Sequence, residues 1–212
     1  MGLHVTHPKK LTFIHVPKNA GTSIYRWFMS EDNNFSYQSI KPKHGSYQEI
    51  TDKIEDPGYV FCVVRNPWDR MVSYYHYIRE QSEIRIQMIK DGKASRPGKG
   101  KWTLEWNLER QKRTAMPFAD WINNQDTWGD TIAGTIIFRN QISFVQKCPN
   151  IFKFENLESE FKVVQDLVNL HIPLGRKNSS NHKTYREYYD QKSKDIVAQH
   201  FKQDIDAYGY EF

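Results

Sequence analysis

Apolar residues fall in short dense runs separated by stretches of helical period. Leu11, Phe13, Ile14 and Val16 make the first run, rich in strand formers. Pro17 ends it, because proline cannot donate to a sheet ladder. Ile24, Trp27 and Phe28 follow at i, i+3 and i+4, one face of a short helix. Residues 30–46 are polar and rich in turn formers, a helix is expected over 46–54, and Asp56-Pro57-Gly58 marks a turn. Tyr59–Val64 is a near-continuous apolar run, the pattern of a strand covered on both faces. Asn66 and Pro67 then suit an N-cap and a first helical position, opening a helix expected to reach about Glu80. Met71, Val72, Tyr75 and Ile78 form its apolar face.

Residues 81–103 carry little core signal and many cations, and read as a basic, mobile insert. Beyond it the pattern predicts helices over 104–112 and from Pro117, a short strand at 135–138 and a short apolar element at 142–145. A further strand is expected at 151–154. Leu157, Phe161, Val164 and Val168 mark an amphipathic helix, residues 173–184 a polar basic loop. A final helix carries Ile196, Val197, His200, Phe201, Ile205 and Tyr208. Strands alternating with helices predict an α/β fold, one domain over residues 1–212 with a central parallel sheet flanked by helices.

Composition narrows the class only in part. An aromatic share of 14% excludes a disordered chain. A net charge of +5 favours an anionic partner without choosing among nucleotide, nucleic acid, acidic glycan and membrane surface. Two cysteines form no disulfide framework and no zinc-ligand spacing, and Cys62, inside an apolar run, is expected to be a buried free thiol. The N-terminal residues lack the apolar segment of an export signal, and no apolar run approaches the ~20 residues of a membrane span. The expectation is a soluble, cytoplasmic protein, with the acceptor patterns for glycosylation at Asn34 and Asn178 read as chance.

Chemistry concentrates after the two apolar runs. Residues 18–23 offer one lysine, a glycine and two hydroxyls where a strand gives way to a helix. Such a turn suits an anion, because the first N–H groups of a helix are unpaired and its dipole is positive there. Lys18 precedes the glycine, unlike the order GxxxxGK[ST] of an ATPase loop. A purely structural turn fits these residues equally well. Arg65 stands at the carboxyl end of the second strand, where open α/β sheets bind ligands, and Ser73 lies eight positions on in the following helix. Either the two close on a second anion, or Arg65 pairs with Asp69 and Ser73 packs.

Taken together, FIHVPKNAGTSI and VFCVVRNPWDRMVSYYHY resemble the two donor-binding motifs of sulfotransferases that use 3′-phosphoadenosine 5′-phosphosulfate (PAPS). The chain is most similar to the compact carbohydrate-type branch, and its C-terminal stretch from Lys177 resembles that branch too. Residues 81–140 carry no part of the likeness. The resemblance implies a P-loop-like domain in which Lys18, Gly21, Thr22 and Ser23 bind the 5′-phosphosulfate of PAPS and Arg65 and Ser73 its 3′-phosphate. Asn178 and Ser180 match the branch's Asn-x-Ser and are assigned to the donor site. Many cytosolic members stack a tryptophan on adenine just after the two hydroxyls; here that position is Ile24, so adenine must be held differently, by Trp27 or another aromatic.

The implied reaction moves a sulfuryl group from PAPS to a hydroxyl or amine of an acceptor, in line, with no metal. Lys18 would stabilise charge on the leaving phosphate oxygen. A general base should take the acceptor's proton; among eight histidines His44 is the first choice, ahead of His15 and then Glu49. The basic residues at 90–101, with Arg110, Lys112 and Arg113, either face an anionic acceptor such as an acidic glycan or are simply solvated. Competing readings are a P-loop-like kinase and a non-catalytic polyanion or nucleic-acid binder; no nucleic-acid partner is expected from the motifs. Oligomeric state is left open by the sequence.

Overall fold

A computed structural model describes residues 2–30, 35–94, 103–124, 136–175 and 183–212. In chain order the elements are β1 (Gly2–His7), β2 (Leu11–Ile14), α1 (Gly21–Phe28), β3 (Ser36–Ile40), α2 (Tyr47–Thr51), β4 (Tyr59–Val64), α3 (Pro67–Lys90), α4 (Leu104–Arg113), α5 (Phe118–Asn123), α6 (Ile142–Val145), β5 (Asn150–Lys153), α7 (Leu157–Glu160), α8 (Lys162–Leu167), α9 (Gln191–His200) and α10 (Lys202–Tyr208). The chain divides into two compact units: Met1–Asn66 with Ile136–Ser179 and Phe201–Glu211, and Pro67–Thr135 with Ser180–His200 and Phe212.

The first unit holds the sheet, in the order β3-β1-β2-β4-β5. β2, β4 and β5 are parallel, as their apolar runs predict. β1 is antiparallel to both β2 and β3, so the sheet is mixed at this end. One face packs Phe13, Phe61, Val63 and Phe152 against Ile24, Trp27 and Phe28 of α1 and against Phe161 and Val164. Each such side chain contributes about 1.5–3 kcal/mol when fully buried. Polar groups inside the sheet are paired. The Thr12 hydroxyl donates to Pro57 O at 2.6 Å, so His4 Nδ1, 3.0 Å from the same oxygen, is the donor to it. Burial lowers the His4 pKa, which keeps that ring neutral. Cys62 and Cys148 are buried free thiols, and burial pushes the Cys62 pKa well up.

Helices α3, α4, α5 and α9 make up the second unit, around an aromatic cluster. Tyr75 meets Phe118 and Trp121 at 5.4 and 5.5 Å between centroids, and Phe118 meets Tyr189 at 4.8 Å. The Tyr189 hydroxyl donates to Trp68 O at 2.9 Å, and Trp68 Nε1 to Lys194 O at 3.1 Å.

Two expectations change. The basic insert expected from residue 81 begins later, because α3 continues to Lys90 and buries Ser82, Arg85 and Ile86. Polar side chains there hide the period: the Ser82 hydroxyl satisfies itself on Ile78 O at 2.7 Å. Residues 136–138 form a turn instead of a strand, and the rest of that stretch, from 125 to 135, lies outside the described residues. Among the described residues no helix is long and apolar enough to cross a membrane.

Candidate active site

The loop between β2 and α1 is held in a costly shape. Lys18 has φ 69° and Ala20, the residue capping α1, has φ 58°. Left-handed backbone at non-glycine residues costs about 1–3 kcal/mol each and persists only where surroundings enforce it. Here the enforcement is visible. Asn19, fully buried between the two, donates through Nδ2 to Val63 O at 2.7 Å and to Gln141 Oε1 at 2.6 Å. Arg65 Nη1 donates to Lys18 O at 3.1 Å. Left-handed residues interspersed in a turn aim N–H groups into an anion-binding hollow, and a helix start adds its own unpaired donors. No acidic residue stands in the first turn of α1 to compete. Thr22 is exposed and Ser23 half-buried there.

Gly21 is required for space. A Cβ at this position would lie 1.9 Å from His15 Nε2 and 2.2 Å from its Cδ2. The His15 ring is boxed in by Phe13, Tyr25 and His44, with centroids at 5.7, 5.9 and 4.5 Å, so it has little freedom to retreat. Gly21→Ala should therefore destabilise the chain by about 1–3 kcal/mol, the usual cost of overpacking. Urea unfolding of the variant checks this; an unchanged midpoint would mean that the ring yields freely.

His15 and His44 differ in character. Burial, with the charges of His44, Lys43 and Lys18, lowers the His15 pKa well below the usual imidazole value, so this ring is neutral and structural. His44, half-buried, comes to the loop: its Nδ1 lies 3.0 Å from His15 O. A carbonyl only accepts, so Nδ1 carries the proton and neutral His44 keeps its lone pair on Nε2, the form a general base needs. Glu49, the third candidate base, has another task. It accepts from Ser46 N at 2.8 Å in a capping box at α2, and that bond holds its pKa below the usual carboxylate value. Both facts count against a role as base at neutral pH.

Arg65 is 8% exposed at the end of β4, its guanidinium 4.0 Å over the Phe154 ring. Gln141 clamps its main chain: Arg65 N donates to Gln141 Oε1 at 2.9 Å and Gln141 Nε2 to Arg65 O at 2.8 Å. Behind Gln141 stands the fully buried carboxylate of Asp204, which accepts from Gln141 N at 2.7 Å and Ile142 N at 2.9 Å. Asn19, Gln141 and Asp204 thus tie the lysine loop and the arginine strand end into one network. Next along, Asn66 N donates to Glu155 Oε1 at 2.7 Å, and Asn66 Nδ2 to Glu211 O at 2.8 Å.

A family model described as "Sulfotransferase family" matches residues 1–211. The chain belongs to the sulfotransferase family. No curated protein and no solved structure matches it. A sulfotransferase carries a sulfuryl group from a donor to an acceptor, and the loop around Lys18, with Arg65 and His44 bonded to it, is this sulfotransferase's strongest anion-holding feature.

The remaining site residues divide plainly. The sulfotransferase gathers Lys18, Gly21, Thr22, Ser23, His44 and Arg65 in its first unit. Ser73 belongs to the second, half-buried on α3. Asn178 and Ser180 lie outside the described residues. Trp27 does not hold adenine: it is 5% exposed, donates through Nε1 to Ile172 O at 2.8 Å and meets Phe28 and Phe161 edge-on at 5.0 Å. Sequence reasoning missed Asn19, Gln141, Asp204 and Glu155. Of these only Asn19 carried a signal, as a polar residue between the lysine and the glycine. The glycine of the C-terminal motif has a structural use, closing α10 with Gly209 at φ 62°.

Proposed function

We propose that this sulfotransferase uses PAPS as donor and sulfates a hydroxyl or amine of a carbohydrate acceptor, its two units working as one domain. The observation that carries the reading is the bond from Arg65 Nη1 to Lys18 O, which couples a strained, lysine-bearing anion loop to a strand-end arginine. A donor with phosphates at two ends calls for two coupled anion holders. In this reading Lys18, Gly21, Thr22 and Ser23 hold the 5′-phosphosulfate, and Arg65 and Ser73 the 3′-phosphate. Asn178 and Ser180 complete the donor site.

Transfer is in line. The acceptor oxygen or nitrogen bonds to sulfur as the bond from sulfur to the bridging phosphate oxygen breaks, and 3′-phosphoadenosine 5′-phosphate leaves. The acceptor's proton passes to His44 Nε2. Lys18 balances the charge growing on the leaving oxygen. Positioning and charge stabilisation dominate such a transfer, as in phosphoryl transfer. A kinase would need ATP and Mg²⁺ instead, and family membership favours sulfuryl transfer over it.

Calorimetric titration of the full chain with 3′-phosphoadenosine 5′-phosphate should give micromolar binding, and His44→Ala should keep that affinity while losing about 10²–10⁴-fold in kcat. Absence of binding overturns the donor; undiminished turnover in His44→Ala moves the base elsewhere.

A further inference from the structure

Helices α3 and α4 pack together in the second unit, and two arginines sit along their contact without a carboxylate. Arg85, on α3, is 8% exposed, and its Nη2 donates to Gln81 Oε1 at 3.3 Å. Arg110, on α4, is half-buried with its guanidinium 4.5 Å over the Trp106 ring and a hydrogen bond to Tyr74. Among the described residues neither arginine forms an ion pair with Asp or Glu. The next arginine along α4, Arg113, is instead matched by Glu109 at 2.9 Å.

This arrangement is incomplete as it stands. Burial lowers the Arg110 pKa, and the charge of Arg85 lowers it further, against the weak opposing pull of the Tyr74 and Tyr77 phenols. Buried cations are ordinarily paired, since leaving one unpaired costs several kcal/mol. Two guanidinium forks near one another match a carboxylate or a sulfate, which each can grip through paired N–H donors. Trp106 and Tyr77 flank the pair with flat apolar surface of the kind that a sugar ring's C–H face covers; Tyr77 is 36% exposed. Tyr74, bonded to Arg110, is the neighbour in sequence of Ser73.

We propose that Arg85 and Arg110 form an anion subsite that grips a carboxylate or sulfate group carried by the acceptor, making the acceptor an acidic glycan. The assignment rests on the sulfuryl-transfer reading above and adds to it the charge of the acceptor.

The test is calorimetry on the full chain saturated with 3′-phosphoadenosine 5′-phosphate. The probes are a chondroitin sulfate hexasaccharide, its desulfated and carboxyl-reduced counterpart, and inorganic sulfate. The charged hexasaccharide should bind about tenfold or more tightly than the neutral one, as charge-assisted hydrogen bonds require. R110Q and R85Q/R110Q should each erase that difference and leave nucleotide affinity unchanged. R110Q alters a half-buried side chain alone, so it decides the matter if the double variant does not fold. Equal affinity for the two hexasaccharides overturns the proposal, as does a preference that survives R110Q. Binding of inorganic sulfate that depends on Arg110, without discrimination between hexasaccharides, overturns the acceptor's part. Repeating the hexasaccharide titrations without nucleotide separates this proposal from the donor assignment, which fails by itself if the nucleotide does not bind.

Discussion

Lys18→Ala should lower kcat/KM for sulfuryl transfer by about 10²–10³-fold, the loss seen when one preorganised charge-stabilising group is removed. The fold should survive, because the loop is anchored by the carbonyl of Lys18 and not by its ammonium: Arg65 Nη1 bonds to Lys18 O in any variant. Backbone strain is the confounding factor, since residue 18 has φ 69°. Alanine keeps that strain and glycine relieves it. Lys18→Gly is therefore the companion variant. If the ammonium matters, both variants lose activity to the same extent while Lys18→Gly is the more stable. Steady-state rates at saturating acceptor and thermal melts of both proteins check this, and full activity in either variant would remove Lys18 from the chemistry.

The second large effect should come from a residue far from the loop in sequence. Asp204→Ala strips the carboxylate from two buried N–H groups, those of Gln141 and Ile142. Leaving such donors unpaired costs about 1–3 kcal/mol each, so the variant should lose about 2–5 kcal/mol of stability. It should also weaken nucleotide binding, because Gln141 holds both Asn19 and the main chain of Arg65. Asp204→Asn keeps one acceptor oxygen and should fall between. Urea unfolding and nucleotide titration of the three proteins give the ranking. Unchanged stability in Asp204→Ala would mean that water replaces the carboxylate.

The parallel part of the sheet was legible because β2 and β4 are apolar along nearly their whole length, and α1 because Ile24, Trp27 and Phe28 keep helical spacing. β1 and β3 were not. His4 and Thr6 interrupt β1, and the pairing of His4 with Thr12 that makes burial tolerable is visible only in the fold. β3 lies at the sheet edge with four of its five residues exposed, so no alternation marks it. The length of α3 was hidden by the buried Ser82 and Arg85. At the site, the positions of Lys18, Gly21 and Arg65 follow from strand ends and local turn chemistry. His44 reached the loop as expected, whereas Glu49 and Trp27 turned out to serve a cap and the core. Gln141 and Asp204 could not be read at all, because each acts through a partner remote in sequence: Asn19 and Gln141 are 122 residues apart.

That separation has a bearing on how the enzyme is born. The strained turn at Lys18 leaves the ribosome well before the groups that hold it, Gln141 and then Asp204, have been made. Contacts between distant parts of a chain form slowly, since the intervening loop must close before they reward it. A nascent chain lacking α10 would present the nucleotide loop without its clamp. Donor-binding competence is thus withheld until α10 has been synthesised, and a chain truncated before that helix should be inert even with every donor-contacting side chain of its first unit in place.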